Sequence, residues 1–339
     1  MMDNREYILE INNLRTSFYT HVGEVQAVRG ISFKMKKGDV MGIVGESGSG
    51  KSVTALSVMK LIDSPGKIKE GSIIFDGKDI TNYTENQMSN LRGNEIAMIF
   101  QDPMTSLNPV FKIKDQMVEV IERHQKLGKH KATERALEML RLVGIPEPER
   151  RINSYPHEFS GGMRQRAMIA TALSCSPKLL IADEPTTALD VTIQAQILDI
   201  MRDISTKTGT SIILITHDLG VIAETCNDLI VMYGGTPMEM GTVEDIFENP
   251  QHPYTQGLLK SVPRMDRDQK ERLKPIAGSP PDLLKPPAGC PFSTRCPHVM
   301  QICKEQQAPM FTVGDGHTSS CWLLHEDAPA VEGFGKGVL

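Results

Sequence analysis

The chain has 339 residues, 40% hydrophobic and 23% charged, with a formal net charge of −5. That length exceeds what one hydrophobic core usually supports, so a main domain with appended pieces is expected. The acidic balance gives no electrostatic case for nucleic acid. No run of about eighteen apolar residues is present to span a bilayer, and Met-Met-Asp-Asn-Arg-Glu has no apolar segment behind it, so it is not a signal peptide and the expected location is the cytoplasm.

Residues 7–36 alternate apolar and polar around His21-Val22-Gly23-Glu24, the pattern of antiparallel strands. Phe18 and Tyr19 lie on this section, and either ring has a π-face that suits a nucleotide base, or a place in the strand's core. Val40-Met41-Gly42-Ile43-Val44 is an apolar run short enough for a buried strand. It feeds Gly45-Glu46-Ser47-Gly48-Ser49-Gly50-Lys51-Ser52, which reads G-x-x-x-x-G-K-S, and a helical pattern continues from Val53 to Met59. Strand, glycine loop and helix form the context a phosphate-binding loop needs. The glycines let backbone N–H groups point inward, and the helix N-terminus adds partial positive charge, so polyphosphate is the expected ligand. Lys51 suits the β- and γ-phosphates, and the Ser52 hydroxyl suits Mg²⁺.

Residues 71–77 read as a strand ending in a turn, and 96–100 as a short buried strand that delivers Gln101 at its C-terminal end, where polar residues meet ligand. From about 105 to 176 the pattern is mostly helical, with an amphipathic stretch at 132–143 and breakers at Pro146 and Pro148. This segment reads as an inserted helical subdomain. It ends in Phe159-Ser160-Gly161-Gly162-Met163-Arg164-Gln165-Arg166, a second anion-binding helix start on a chain whose one nucleotide does not need it.

Residues 179–185 form an apolar strand ending in Asp183 and Glu184. Asp183 suits Mg²⁺, directly or through water, and Glu184 suits the base that polarises an attacking water. Residues 211–216 are the next buried strand and end at His217, which is placed to hydrogen-bond a γ-phosphate or order the water. Residues 229–233, with the turn Gly234-Gly235 behind them, are read as closing the sheet. Pro237, in a segment poor in β-branched residues, suggests an edge or a bulge. Beyond Phe247 prolines and polar residues take over, so the domain boundary falls there: 1–247, then an appendage at 248–339.

Of six cysteines, Cys175 and Cys226 stand in apolar segments as core residues, while Cys290, Cys296, Cys303 and Cys321 crowd the last fifty. A cytosolic chain favours a metal over disulfides for such a group. The separations of five, six and seventeen residues fit neither common zinc nor ferredoxin spacings, which leaves Zn²⁺ and an iron–sulfur cluster both open.

With these residues assembled, the chain resembles the ATP-binding cassette ATPases over nearly its whole length. The carriers are the loop at 45–52, Gln101, Phe159 to Met163, the acidic strand 179–184, Ala188-Leu189-Asp190 and His217. A narrower resemblance, to the ATPases of dipeptide, oligopeptide and nickel importers, rests on 99–109, 159–166, 252–259 and the cysteine tail. It implies an α/β fold: a P-loop NTPase core of RecA-like type, an antiparallel β subdomain, the helical subdomain and a small Cys-rich extension. It also implies ATP and Mg²⁺ as cofactors. Gly45 through Val53, an aromatic from Phe18 or Tyr19, and Ser160, Gly161, Gly162 and Asp190 would hold the nucleotide. Ser52, Gln101 and Asp183 would surround Mg²⁺, with Gln101, Glu184 and His217 at the reaction centre.

The same resemblance moves the cysteine site toward [4Fe–4S]. It supplies the expected partners too: a paralogous ATPase in a head-to-tail heterodimer, two transmembrane permeases and an extracytoplasmic binding protein, with the ATPase peripheral on the cytoplasmic face of the membrane. Phe159 and Met163 depart from the wider family's Leu and Gln in the manner of one member of an unlike ATPase pair. Cargo rests on resemblance alone, and nickel, glutathione or oligosaccharide stand beside peptide. Two other classes compete with this reading. A soluble cassette ATPase acting on DNA or ribosomes would be expected to show coiled-coil insertions, a second cassette or basic arms. A P-loop kinase or GTPase is opposed by the Ser-Gly-Gly helix start and the Asp183-Glu184 pair.

Overall fold

The computed structural model describes residues 6–101, 106–186, 191–261 and 275–338. The chain divides into two compact units. One takes the chain up to Leu9, Met35–Val40 and Phe75–Ile215; the other takes Glu10–Lys34, Met41–Ile74 and Thr216 onward.

In the first unit, β6 (Ile96–Ile99), β7 (Leu179–Asp183) and β8 (Ser211–Ile215) run parallel in that order, Ile99 opposite Ala182 and Asp183 opposite Ile215. Every residue of β7 and β8 is buried, which is why both read as unbroken apolar runs rather than alternating ones. Helices α3 (Ile113–Gln125), α4 (Lys129–Leu142) and α6 (Gly161–Leu173) pack together as the expected helical subdomain. The buried stripe of α4 is Ala132, Ala136, Met139 and Leu140, one face at helical spacing. Pro146 and Pro148 end that pattern, and Pro148 then opens the one-turn α5 (Pro148–Arg151), where its missing N–H costs nothing.

In the second unit, β1 (Tyr7–Thr20) and β2 (Gly23–Lys36) form the expected pair, with β4 (Gly66–Phe75) on the other side of β1. β3 (Val40–Val44) runs parallel to β9 (Asp228–Tyr233), Val44 opposite Val231. The expectation that β9 closes its sheet is wrong. β10 (Thr236–Thr242) pairs antiparallel with β9, and β12 (Thr318–Ser319) and β11 (Phe311–Thr312) extend the sheet further.

Residues 236–242 carry no alternating period, and only the reading of Pro237 as an edge or a bulge pointed to a strand here. The hairpin is made by Gly234 and Gly235, at φ of 55° and 81°, a turn that only residues tolerating positive φ can form. A register shift between Pro237 and Glu239 absorbs the proline without breaking the ladder, so it marks a bulge and not an edge.

Residues beyond 248 join this second unit. His252 caps α10 (Pro253–Lys260) through Nδ1, which accepts the Tyr254 N–H at 3.0 Å. Complete burial lowers the pKa of that imidazole to about 3, so it is neutral and free to accept. Farther on, Ala308, Phe311, Cys321, Leu323 and Leu324 form a small apolar cluster, with Trp322 packed against it. The tail therefore has a core of its own.

Candidate nucleotide-binding and hydrolysis site

The phosphate loop lies in the second unit and is bent by its glycines. Gly45, Gly48 and Gly50 all have positive φ, and Gly50 stands at the N-cap of α1 (Lys51–Val58) in the left-handed conformation. A Cβ on Gly45 would sit 2.1 Å from the Met232 carbonyl oxygen, and one on Gly50 would sit 2.5 Å from that of Ala27. The backbone of neighbouring strands thus leaves room for glycine alone at both positions. Lys51 is 6% exposed. Its ammonium donates to the loop's own carbonyl oxygens, Gly45 at 2.7 Å and Glu46 at 3.0 Å. Ser52 follows it in the first turn of α1. Of the two aromatics upstream, Phe18 lies against Gly66, whereas Tyr19 is 43% exposed.

His217 is also in this unit, exposed, immediately before α8 (Leu219–Thr225). The neighbouring Asp218 was not singled out from sequence. Its carboxylate accepts the Gly220 N–H at 2.9 Å and so caps α8.

The first unit brings together Gln101, Asp183 and Glu184. Asp183 is buried at the end of β7. Glu184 follows with φ of 47°, a left-handed conformation costly for a residue with a Cβ and concentrated at functional sites. Its N–H donates to the Ile215 carbonyl at 2.9 Å, which anchors the turn. Its side-chain Oε2 accepts from Gln101 Nε2 at 2.8 Å. Ser160 caps α6, its Oγ accepting the Met163 N–H at 3.3 Å, while Gly161 has open space where a Cβ would go. Phe159 is buried, and Gln165 Nε2 donates to the Pro185 carbonyl just past Glu184. Asp190 lies outside the described residues, as do 102–105 of the segment following Gln101.

Cys290, Cys296, Cys303 and Cys321 line one small cavity with Phe292 and His252, all four as free thiols. Burial pushes the Cys290 thiol up to about 12 and raises those of Cys296 and Cys321. Nonetheless, among the described residues no group of three or more His, Cys, Asp or Glu side chains is arranged to hold a metal ion. Four sulfurs around one zinc would stand about 3.8 Å apart, from a Zn–S length of about 2.3 Å.

A strand-loop-helix nest with a buried lysine, and a strained acid held by a glutamine, are the parts of a nucleoside-triphosphate hydrolase. The sequence profile described as ABC transporter matches residues 28–187, and that of the oligopeptide/dipeptide transporter C-terminal region matches 238–303. The chain belongs to the ATP-binding proteins of ABC transporters, which are ATPases. It is 57% identical to an oligopeptide transport ATP-binding protein of Bacillus subtilis over 96% of its own length and 91% of that relative's. A dipeptide transport ATP-binding protein of the same organism is 53% identical, covering 95% of this chain and 96% of the relative. Among solved structures, a dimeric ATP-binding cassette in a post-hydrolysis state with ADP and Pi matches 69% of this chain and 98% of its own, at 24% identity and a TM-score of 0.64, which bears on the fold.

Proposed function

We propose that this chain is the ATP-hydrolysing subunit of an importer of di- and oligopeptides, peripheral on the cytoplasmic face of the membrane. The observation that carries the hydrolytic role is Glu184, strained at φ 47° and hydrogen-bonded to Gln101. The peptide cargo follows from the names of relatives more than 50% identical over nearly the whole chain. No described helix is long and apolar enough to cross a membrane, so transport needs permease partners, and import of this kind needs an external binding protein.

In this reading the loop N–H groups and Lys51 would hold the β- and γ-phosphates, and Ser52, Gln101 and Asp183 are the residues that would hold Mg²⁺, whose charge would offset that of the phosphates. Tyr19, the more exposed aromatic, stacks on the base. Glu184 takes the proton of the attacking water, and His217 contacts the γ-phosphate. Ser160, Gly161, Gly162 and Asp190 serve the nucleotide of a second cassette, and the Phe159/Met163 form of that motif favours a paralogous partner over a second copy. The test is peptide uptake in membrane vesicles holding the permeases and both ATPases. Lys51→Ala should abolish ATP-dependent uptake and nucleotide binding by this chain; full uptake with that variant rejects the reading.

For the tail, the family resemblance favours a [4Fe–4S] cluster over zinc, and the four thiols that would hold it line one cavity. Iron, sulfide and zinc analysis after anaerobic purification decides it, and stoichiometric zinc without sulfide rejects the cluster.

A further inference from the structure

The phosphate loop contains an acid that its ligand should resist. Glu46 is the loop's second residue, and a carboxylate in a loop meant for polyphosphate has the same sign as its ligand. The second unit supplies an answer from its own C-terminal tail. Arg295 Nη1 lies 2.7 Å from Glu46 Oε2, with the arginine side chain 4% exposed.

The guanidinium is not merely near. Nη1 also donates to the Tyr233 hydroxyl at 2.9 Å, Nε to the Ala277 carbonyl at 2.9 Å and Nη2 to the Ile276 carbonyl at 2.9 Å. Its plane lies by the rings of Tyr233 and Phe292, at 5.6 Å and 5.8 Å. A fork held at this many points cannot swing away to solvent.

Tyr254 acts on the same turn. It is fully buried, and its hydroxyl accepts the Glu46 N–H at 2.9 Å. The opposite end of that peptide unit, the Gly45 carbonyl, accepts from Lys51 at 2.7 Å. The peptide plane between Gly45 and Glu46 is therefore gripped at both ends, and one grip is the lysine expected to meet phosphate. Tyr233, Tyr254 and Phe292 pack as a triad, with centroids 4.6 to 5.4 Å apart, which fixes the hydroxyl in place.

We propose that Arg295 and Tyr254 are positioning residues for the nucleotide: they clasp the first turn of the phosphate loop and neutralise Glu46, so that the tail beyond the cassette sets ATP affinity. This rests on the loop being the ATP site.

Binding of the fluorescent analogue mant-ATP to the full-length chain, with circular dichroism and melting temperature alongside, tests it. Arg295→Met should weaken binding about tenfold, the effect of one unit charge a few ångström from phosphate at an effective dielectric below that of water. Arg295→Lys should recover part of that, and Tyr254→Phe should cost about threefold, the scale of one neutral hydrogen bond. Adding Glu46→Gln to Arg295→Met should restore most of the affinity, because the exposed charge is then gone; a merely structural arginine would show no such rescue. In the assembled transporter the KM for ATP should rise while kcat stays within about twofold. Unchanged mant-ATP affinity in both Arg295→Met and Tyr254→Phe overturns the clasp, as does weakening that Glu46→Gln fails to relieve. Lys51→Ala separates the two ideas. If it loses binding while the clasp variants do not, only the clasp falls; if it too binds normally, the ATP site falls with it.

Discussion

The helix starts of α1 and α6 both carry glycines, and their surroundings are opposite. At the start of α1, Gly45 and Gly50 are hemmed by the carbonyl oxygens of Met232 and Ala27, and no side chain caps the helix. At the start of α6, Gly161 has nothing within 4 Å of where its Cβ would be, and Ser160 caps the helix from within. The first site is complete inside its own unit: strand, loop, lysine and helix dipole converge on one cradle. The second is left bare. The open space at Gly161 leaves room beside this helix start, in agreement with the role proposed above, a nucleotide held by another cassette. The glycines look alike in sequence, but Gly45 and Gly50 are enclosed by backbone and Gly161 is not.

The largest effect expected belongs to neither glycine site but to the acid just past β7. Glu184→Gln keeps shape and removes basicity, so turnover should fall about 10²–10⁴-fold with ATP binding retained. The assay is ATP hydrolysis by the assembled transporter with the partner ATPase disabled, and near-normal turnover removes Glu184 from that role.

The comparison itself is broken or kept by alanine. Gly45→Ala places a Cβ against a backbone carbonyl at φ 154°, and should cost about 3 kcal/mol or prevent folding, with nucleotide binding lost. Gly161→Ala should change the unfolding free energy by less than about 0.5 kcal/mol. Equal losses in denaturant titrations of the two variants would erase the distinction. Gly161→Asp sharpens it, since a carboxylate there should stop hydrolysis at the partner's phosphate loop while leaving this chain's melting temperature alone. Site-specific nucleotide trapping reads that directly.

Smaller is the cap. Ser160→Ala removes the acceptor for the Met163 N–H and should cost about 1 kcal/mol by chemical denaturation. Restoration by Ser160→Asn or Asp would confirm that the oxygen, not the residue's size, is what matters.

Of the same size as the cap is a pH dependence in the unit that carries α6. The Lys178 and Lys37 ammonium groups, at 2.8 Å and 2.6 Å, hold the Asp76 carboxyl down to about 2, against 3.8 for the free group. A depressed carboxylate stabilises the folded state above its unfolded value and loses that contribution as pH falls toward the folded one. Stability should therefore drop by about 1 kcal/mol, after allowance for solvent screening, between roughly pH 4 and pH 2. Asp76→Asn should flatten that part of the acid titration, and an unaltered slope would rule the pair out as its source.

Much of this molecule was legible from residue order alone. A phosphate loop is one contiguous strand, turn and helix, so its chemistry is local: Gly45 to Ser52 announce the nest because each residue acts on its chain neighbours. The same holds for the apolar runs that became β7 and β8, and for the stripe Ala132, Ala136, Met139 and Leu140. What spacing could not give is whatever depends on residues far apart in the chain. β10 has no period of its own and exists because β9 and β12 flank it. Beyond Phe247 the sequence reads as prolines and polar residues, yet Phe311, Leu323 and Leu324 pack in one apolar cluster. Above all, Arg295 and Tyr254 stand more than 200 positions from Glu46, and neither has a local pattern that sets it apart. Hydrogen bonds depend on distance in space, and only folding turns that separation in sequence into 2.7 Å and 2.9 Å.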